Sequence, residues 1–145
     1  MNQNLNKKKI ELFVDNGIDK YRRKEDISIK DMLQIFFENE GFFVLGDDKN
    51  LTIGYLDTID IDQIKKIIEK VNKREIDYEK KTIKDLIKEK QIKFRDGFID
   101  SNDSLGDVIE RLNESEQIYF PVIKNNVLIG RVSKRILRGK IKDLY

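Results

Sequence analysis

Ser28-Ile29-Lys30-Asp31-Met32-Leu33-Gln34-Ile35-Phe36 and Ser104-Leu105-Gly106-Asp107-Val108-Ile109-Glu110-Arg111-Leu112 are one pattern written twice. Each opens with Ser-x-x-Asp, whose hydroxyl and carboxylate can satisfy the free amides of a helix start. Each then sets apolar residues at helical spacing: Ile29, Met32, Leu33 and Phe36 in the first, Leu105, Val108, Ile109 and Leu112 in the second. That is the same helix face in both copies. The correspondence continues downstream at one shared offset, with Leu51, Ile53, Gly54 and Leu56 matched by Val127, Ile129, Gly130 and Val132. A repeat of this kind fixes the architecture before any single residue is interpreted.

Both downstream stretches close a predicted hairpin. In the second copy Phe120-Pro121-Val122-Ile123 and Val127 to Val132 flank Asn125-Asn126, residues that tolerate the left-handed conformation of a tight turn. In the first, Phe42-Phe43-Val44-Leu45 and Leu51 to Leu56 flank a longer turn, Gly46 to Asn50. Another helix follows each hairpin, opened by Asp57 or Ser133 as N-cap, the first running through Ile61, Ile64, Ile67, Ile68 and Val71. Lys65 to Lys90, without Gly or Pro, reads as a mostly helical connector with a break near Asp77. Ile83-Lys84-Asp85-Leu86 recurs as Ile141-Lys142-Asp143-Leu144, which suggests a short helix docking at the edge of a repeat. The repeat boundaries expected are 1–78 for the first copy with its connector and 79–145 for the second.

Composition narrows the chemistry. The 145 residues carry 39% charged and 39% hydrophobic side chains, a formal net charge of +2, and no Cys, His, Trp or Ala. Disulfides, Cys or His metal sites, thiol catalysis and histidine triads all lose their central groups. The N-terminal Met1 to Lys9 is polar and then basic, with no apolar run of signal-peptide length, so a cytoplasmic, non-membrane protein is expected. The last 25 residues hold Lys124, Arg131, Lys134, Arg135, Arg138, Lys140 and Lys142 against Asp143 alone. Such a strip could meet a nucleic acid backbone, but no aromatic residues interleave with it and a phosphate cleft or simple solubility accounts for it better. Asp57, Asp60 and Asp62 could attract magnesium, although Asp enrichment at a helix start is ordinary.

Strand, helix, hairpin and helix, occurring twice, with Asp-Ser-Leu opening the helix, Phe-Pro-Val-Ile in a strand and Leu-Ile-Gly-Arg-Val-Ser closing the hairpin, resembles the CBS domain. The second copy matches well across Thr82 to Leu144, with Pro121-Val122, Gly130 and Ser133 at the family's most typical positions. The first copy, roughly Ile10 to Ile76, departs more and has Phe43 where the family usually has Pro. The resemblance implies an α/β (α+β) tandem in which two βαββα units pack as a pseudo-two-fold intramolecular pair. It also implies a regulatory, non-catalytic module that binds adenosine-containing ligands such as AMP, ADP or ATP in clefts between the repeats, with no cofactor required, and that commonly forms a homodimer.

In that family the closing strand is followed by Gly, an apolar residue, any residue, Ser or Thr, two further residues and Asp. The hydroxyl sits where a helix start welcomes phosphate, and the Asp accepts from ribose hydroxyls. The first copy reads Gly54-Tyr55-Leu56-Asp57-Thr58-Ile59-Asp60, keeping the ribose carboxylate and replacing the hydroxyl by Asp57. The second reads Gly130-Arg131-Val132-Ser133-Lys134-Arg135-Ile136, keeping the hydroxyl, adding two cations and losing the carboxylate. One composite nucleotide site is therefore expected, with Asp60 orienting a ribose, Ser133, Lys134 and Arg135 receiving phosphates, and Phe42, Phe43, Tyr119 and Phe120 flanking the base. The same residues have plainer roles: Asp60 favouring its own helix start, Lys134 and Arg135 as a solvated face, the Phe residues as core. On that alternative the chain is a degenerate pair serving as a ligand-free dimerisation or partner-docking scaffold, its protein partner unnamed by the sequence.

Overall fold

Each copy of the pattern folds in the order its periodicity prescribes. The computed structural model describes residues 3–143. In the first copy β1 (Arg22–Lys24), α1 (Ile29–Glu38), β2 (Phe43–Gly46), β3 (Thr52–Leu56) and α2 (Ile61–Asn72) follow one another. A short α3 (Ile83–Lys88) comes next, and the second copy supplies β4 (Ile99–Asp100), α4 (Leu105–Glu114), β5 (Phe120–Lys124), β6 (Val127–Val132) and α5 (Lys134–Lys142). The strands form two separate three-stranded sheets, ordered β1-β2-β3 and β4-β5-β6. In each the first pair is parallel and the second antiparallel. A parallel pair needs a crossover, which α1 and α4 provide; the antiparallel pair needs only a turn.

The starts and turns are set locally. Ser28 Oγ accepts from the Asp31 amide at 3.1 Å and Ser104 Oγ from the Asp107 amide at 3.2 Å. The full reciprocal box, with the carboxylate reaching back, closes at Thr82 with Asp85 and at Asp57 with Asp60. Asn125 and Asn126 take φ of 52° and 64°, the paired left-handed conformation of a two-residue hairpin turn. In the longer first hairpin Asp47 Oδ1 accepts from the amides of Lys49 and Leu51 at 2.8 and 2.9 Å, an Asx-type turn that holds the loop closed.

One expectation holds and one is corrected. The connector breaks around Asp77, as its sequence suggests: α2 ends at Asn72, Arg74 turns left-handed at φ 59°, and regular helix resumes at Ile83. Lys and Glu favour helix, but exposed residues without a continuous apolar face give it nothing to pack against. The second Ile-Lys-Asp-Leu is not a separate docking helix. Ile141 and Lys142 are the last turn of α5, and Leu144 lies outside the described residues.

Contacts group residues 19–96 into one compact unit and residues 3–18 with 97–143 into the other. Relative to the linear repeats, two segments are exchanged. The N-terminal segment packs with the second copy, where Ile10 N donates to Asp103 O and Leu105 N to Lys8 O, both at 2.8 Å. Leu5, Ile10 and Phe13 join Ile99, Leu105, Val108, Leu112, Phe120, Val122, Val132 and Leu137 in its core. Correspondingly, α3 packs with the first copy. Ile29 N donates to Lys81 O and Ile83 N to Ile27 O, both at 3.0 Å, and Ile83 and Leu86 are wholly buried. Burying an Ile, Leu or Phe contributes about 1.5–3 kcal/mol, so each borrowed segment is a substantial share of its unit's core.

The exchanged segments also cross the hairpins. In one unit Tyr55 and Arg95 exchange backbone bonds, each at 2.9 Å; in the other Asp15 and Arg131 do so at 2.9 and 3.0 Å. The crossings explain the two glycines shared by the repeats. A Cβ on Gly54 would stand 2.6 Å from Phe94 Cβ and 3.3 Å from Arg95 O. On Gly130 it would stand 2.6 Å from Asp15 O and 2.9 Å from Val14 Cβ.

Gly54→Ala and Gly130→Ala are each expected to lower stability by about 1–3 kcal/mol, read by urea unfolding, because backbone must shift to admit the methyl. A Gly46→Ala control, whose Cβ would meet nothing closer than 3.6 Å, is expected to cost less. A second expectation concerns acid. The Thr82 amide bond holds the Asp85 carboxyl below its ordinary 3.8, helped by the Thr82 hydroxyl. A depressed acid stabilises the fold above its unfolded value and loses that contribution as pH falls below 3.8 through the lower folded value. The stability gap between wild type and Asp85→Ala should therefore narrow below about pH 4 in melts taken from pH 6 downward.

Candidate functional site

The loop after β3 is built by two carboxylates and one guanidinium. Asp57, wholly buried, caps a 3-10 turn at Thr58–Asp60 that leads into α2. Asp60, 4% exposed, returns the bond: its Oδ2 accepts from the Asp57 amide at 2.9 Å. Arg95 Nε then donates to both Asp60 oxygens, at 3.1 and 2.9 Å, and Gln63 Nε2 lies 3.4 Å from Oδ1. The bond to Asp60 is the main reason the Arg95 guanidinium titrates above its ordinary value. A nearly buried carboxylate must be paired, and both Asp60 oxygens are: Oδ1 accepts from Arg95 and Gln63, and Oδ2 from Arg95 and the Asp57 amide.

Arg95 is the residue that sequence reasoning missed. It lies 35 positions from Asp60 in a segment with no motif, and only the crossing at Gly54 and Tyr55 brings it there. Asp57 and Asp60 are thus committed to the cap and to Arg95, while Asp62 is exposed on α2. Among the described residues no three His, Cys, Asp or Glu are grouped to hold a metal ion.

The loop after β6 has the opposite character. Ser133 caps α5, its hydroxyl accepting from the Ile136 amide at 3.1 Å, and the first turn of α5 holds no acid. Lys134 and Arg135 are exposed beside it. Helix amides and a cationic pair make this start favourable to an anion. Arg135 Nη2 also donates to the Tyr119 hydroxyl at 2.9 Å. Arg131, 7% exposed, lies with its guanidinium 3.9 Å from the centre of the Tyr119 ring and Nε 3.7 Å from Asp15. The basic strip is therefore not one surface: Arg131 is packed into its unit, Lys124 pairs with Glu11 at 3.3 Å, and Lys134, Arg138, Lys140 and Lys142 are exposed on α5.

The four aromatic residues expected to flank a base are buried. Phe42 and Phe43 are 0% exposed, Tyr119 1% and Phe120 3%. Phe42 meets Tyr21 edge-on at 5.0 Å, Phe43 tilts against Phe94 at 6.3 Å, and Arg111 covers the Phe120 ring at 4.9 Å. Their observed partners are core and cationic neighbours. Asp60, Phe42 and Phe43 belong to one compact unit, and Ser133, Lys134, Arg135, Tyr119 and Phe120 to the other.

Residues 83–143 match the CBS domain family, and no curated protein matches the chain. The fold is shared with a CBS domain pair/ACT domain protein from Thermotoga maritima, at TM-score 0.64 and 16% identity over 95% of this chain and 100% of the other. It is shared with CBSX2 in complex with AMP, at TM-score 0.68 and 16% identity over 94% and 98%. CbpB in complex with c-di-AMP also superposes, at TM-score 0.71 and 10% identity over 98% and 89%. The stretch from α3 through α5 thus matches the CBS domain family, and the chain shares the fold of CBS domain pairs.

Proposed function

We propose that the chain is a regulatory module that binds an adenosine-containing ligand, AMP, ADP or ATP, and passes the bound state to a protein partner or to its own homodimer. The observation that carries this reading is the start of α5, where Ser133, Lys134 and Arg135 stand at a helix start free of acid within the stretch that matches the family. The AMP bound by CBSX2 and the c-di-AMP bound by CbpB, both sharing this fold, support an adenine nucleotide as ligand class. On this reading the repeats are 1–78 and 79–145, the chain does no chemistry of its own, needs no cofactor, and works in the cytoplasm. No helix among the described residues is long and apolar enough to cross a membrane.

For Asp60 to hold a ribose, the sugar hydroxyls must displace Arg95, so ligand binding at that carboxylate would release the segment that crosses β3. Phe42 and Phe43 in one unit, and Tyr119 and Phe120 in the other, would then act from within the core of their own unit. A second reading has its own support: the Asp60 carboxylate is already occupied by Arg95, and Asp57 stands where phosphate would need a hydroxyl. That reading is a ligand-free dimerisation or docking scaffold.

Thermal melts with AMP, ADP and ATP separate the two. A ligand at a hundred times its Kd adds about 2.7 kcal/mol, a rise of about 5 °C or more for a chain of this size. No rise with any adenine nucleotide favours the scaffold, and native mass spectrometry of the same samples reads the subunit count. Titrations of the variants then test the residues. Lys134→Ala/Arg135→Ala is expected to weaken ATP at least ten-fold. Asp60→Ala should weaken adenosine and ATP alike, whereas Arg95→Ala, which removes the competitor, should strengthen both several-fold although it costs about 1–2 kcal/mol of stability. Unchanged affinities in all three variants would remove these residues from the site.

A further inference from the structure

A second cationic feature adjoins the Asp60 loop, sharing Gln63 with it, and is built from α2 and the segment after α3. Lys90 takes φ 57°, and Lys90 N and Gln91 N donate back to Ile87 O and Leu86 O at 3.1 and 2.9 Å, so the chain leaves α3 through a left-handed cap. It then runs beside α2, where Gln63 brackets Lys93: Gln63 Oε1 accepts from the Lys93 amide at 2.8 Å, and Gln63 Nε2 donates to Lys93 O at 3.1 Å. The hollow between them, about 330 Å³, is lined by Gln63, Lys66, Ile67, Lys70 and by Lys90, Gln91, Ile92 and Lys93.

Four of the eight lining residues are lysines and none is acidic. The ion pairs among the described residues engage none of the four. The nearest carboxylate in sequence on that segment, Glu89, is taken by Lys81 at 2.8 and 2.9 Å and by Gln91 at 3.0 Å. Lys70 Nζ is 3.4 Å from Gln91 Oε1, which aims one ammonium along the hollow. Ile67 and Ile92, both buried, form its floor. Like charges gathered round a concavity repel one another and draw in an anion, and the walls of the concavity strengthen that attraction. The volume is at the small end of ligand pockets, enough for a few linked phosphates rather than a whole nucleotide.

We propose that this hollow is an anion site for a small compound carrying two or three linked phosphate groups. The proposal is independent of the adenosine reading, because its probe contains no nucleoside. Inorganic triphosphate and pyrophosphate are titrated calorimetrically into wild type, at 50 and 200 mM salt. One saturable site is expected, weakened several-fold by the added salt. Lys66→Gln/Lys93→Gln, two exposed positions, should weaken triphosphate at least ten-fold. Arg138→Gln/Lys140→Gln, an equal charge loss on exposed α5, should change it less than two-fold, with melts confirming that both variants fold. The proposal is overturned by any one of three results: no saturable binding in wild type, a change under three-fold in the hollow variant, or the α5 variant losing as much. Binding of a single-stranded oligonucleotide without binding of triphosphate would likewise overturn it and assign the surface to nucleic acid.

Discussion

The structure depends on two extended segments that cross the closing strand of a hairpin at a glycine. Phe94 and Arg95 cross β3 at Gly54, and Val14 and Asp15 cross β6 at Gly130. A sheet of three strands, one of them only two or three residues long, leaves a closing strand with an open edge, and the crossing segment pairs with it at one residue, Tyr55 in β3 and Arg131 in β6. Because the segment that crosses one hairpin is contiguous with the other repeat, neither copy completes its core from its own linear span. The exchange of segments is therefore a condition of stability for both units and not an ornament of the connection.

The same crossings bring charge to each loop, with opposite outcomes. At the first, Arg95 arrives beside Asp60 and closes a bond with both carboxylate oxygens, so the acid is satisfied within its own unit. At the second, Asp15 arrives beside Arg131, whose guanidinium stands over the Tyr119 ring, and Tyr119 in turn accepts from Arg135. The second loop keeps exposed cations at an uncapped-by-acid helix start, while the first presents a carboxylate already engaged. Duplicated backbones have thus acquired unlike electrostatics through residues that stand outside the loop motif itself.

Charge also explains the connector. Its lysines and glutamates do not build a continuous helix. Instead α3 ends at Lys88, and Lys90 and Lys93 come to lie along Lys66 and Lys70, tied there by Gln63 to Lys93 and by Lys70 to Gln91. A segment that reads as a solvated spacer in one dimension acquires a concave, cationic wall in three, because the left-handed residue at Lys90 reverses its direction.

Local pattern alone determined the elements. The Ser-x-x-Asp starts, the apolar faces of α1 and α4, the Asn-Asn turn and the caps at Asp57 and Ser133 act over a few residues, so their physics is written in adjacent letters. The repeated offset extended that legibility to the order of strands and helices and to the two glycines. Tertiary structure decided what adjacency cannot encode: which segment completes which core, that Arg95 meets Asp60 across 35 positions, that Phe42, Phe43, Tyr119 and Phe120 are buried, and that four lysines line one hollow. Pairing partners and burial are properties of contacts between distant residues, and a hydrogen-bonding or apolar side chain carries no mark of which distant group it will find.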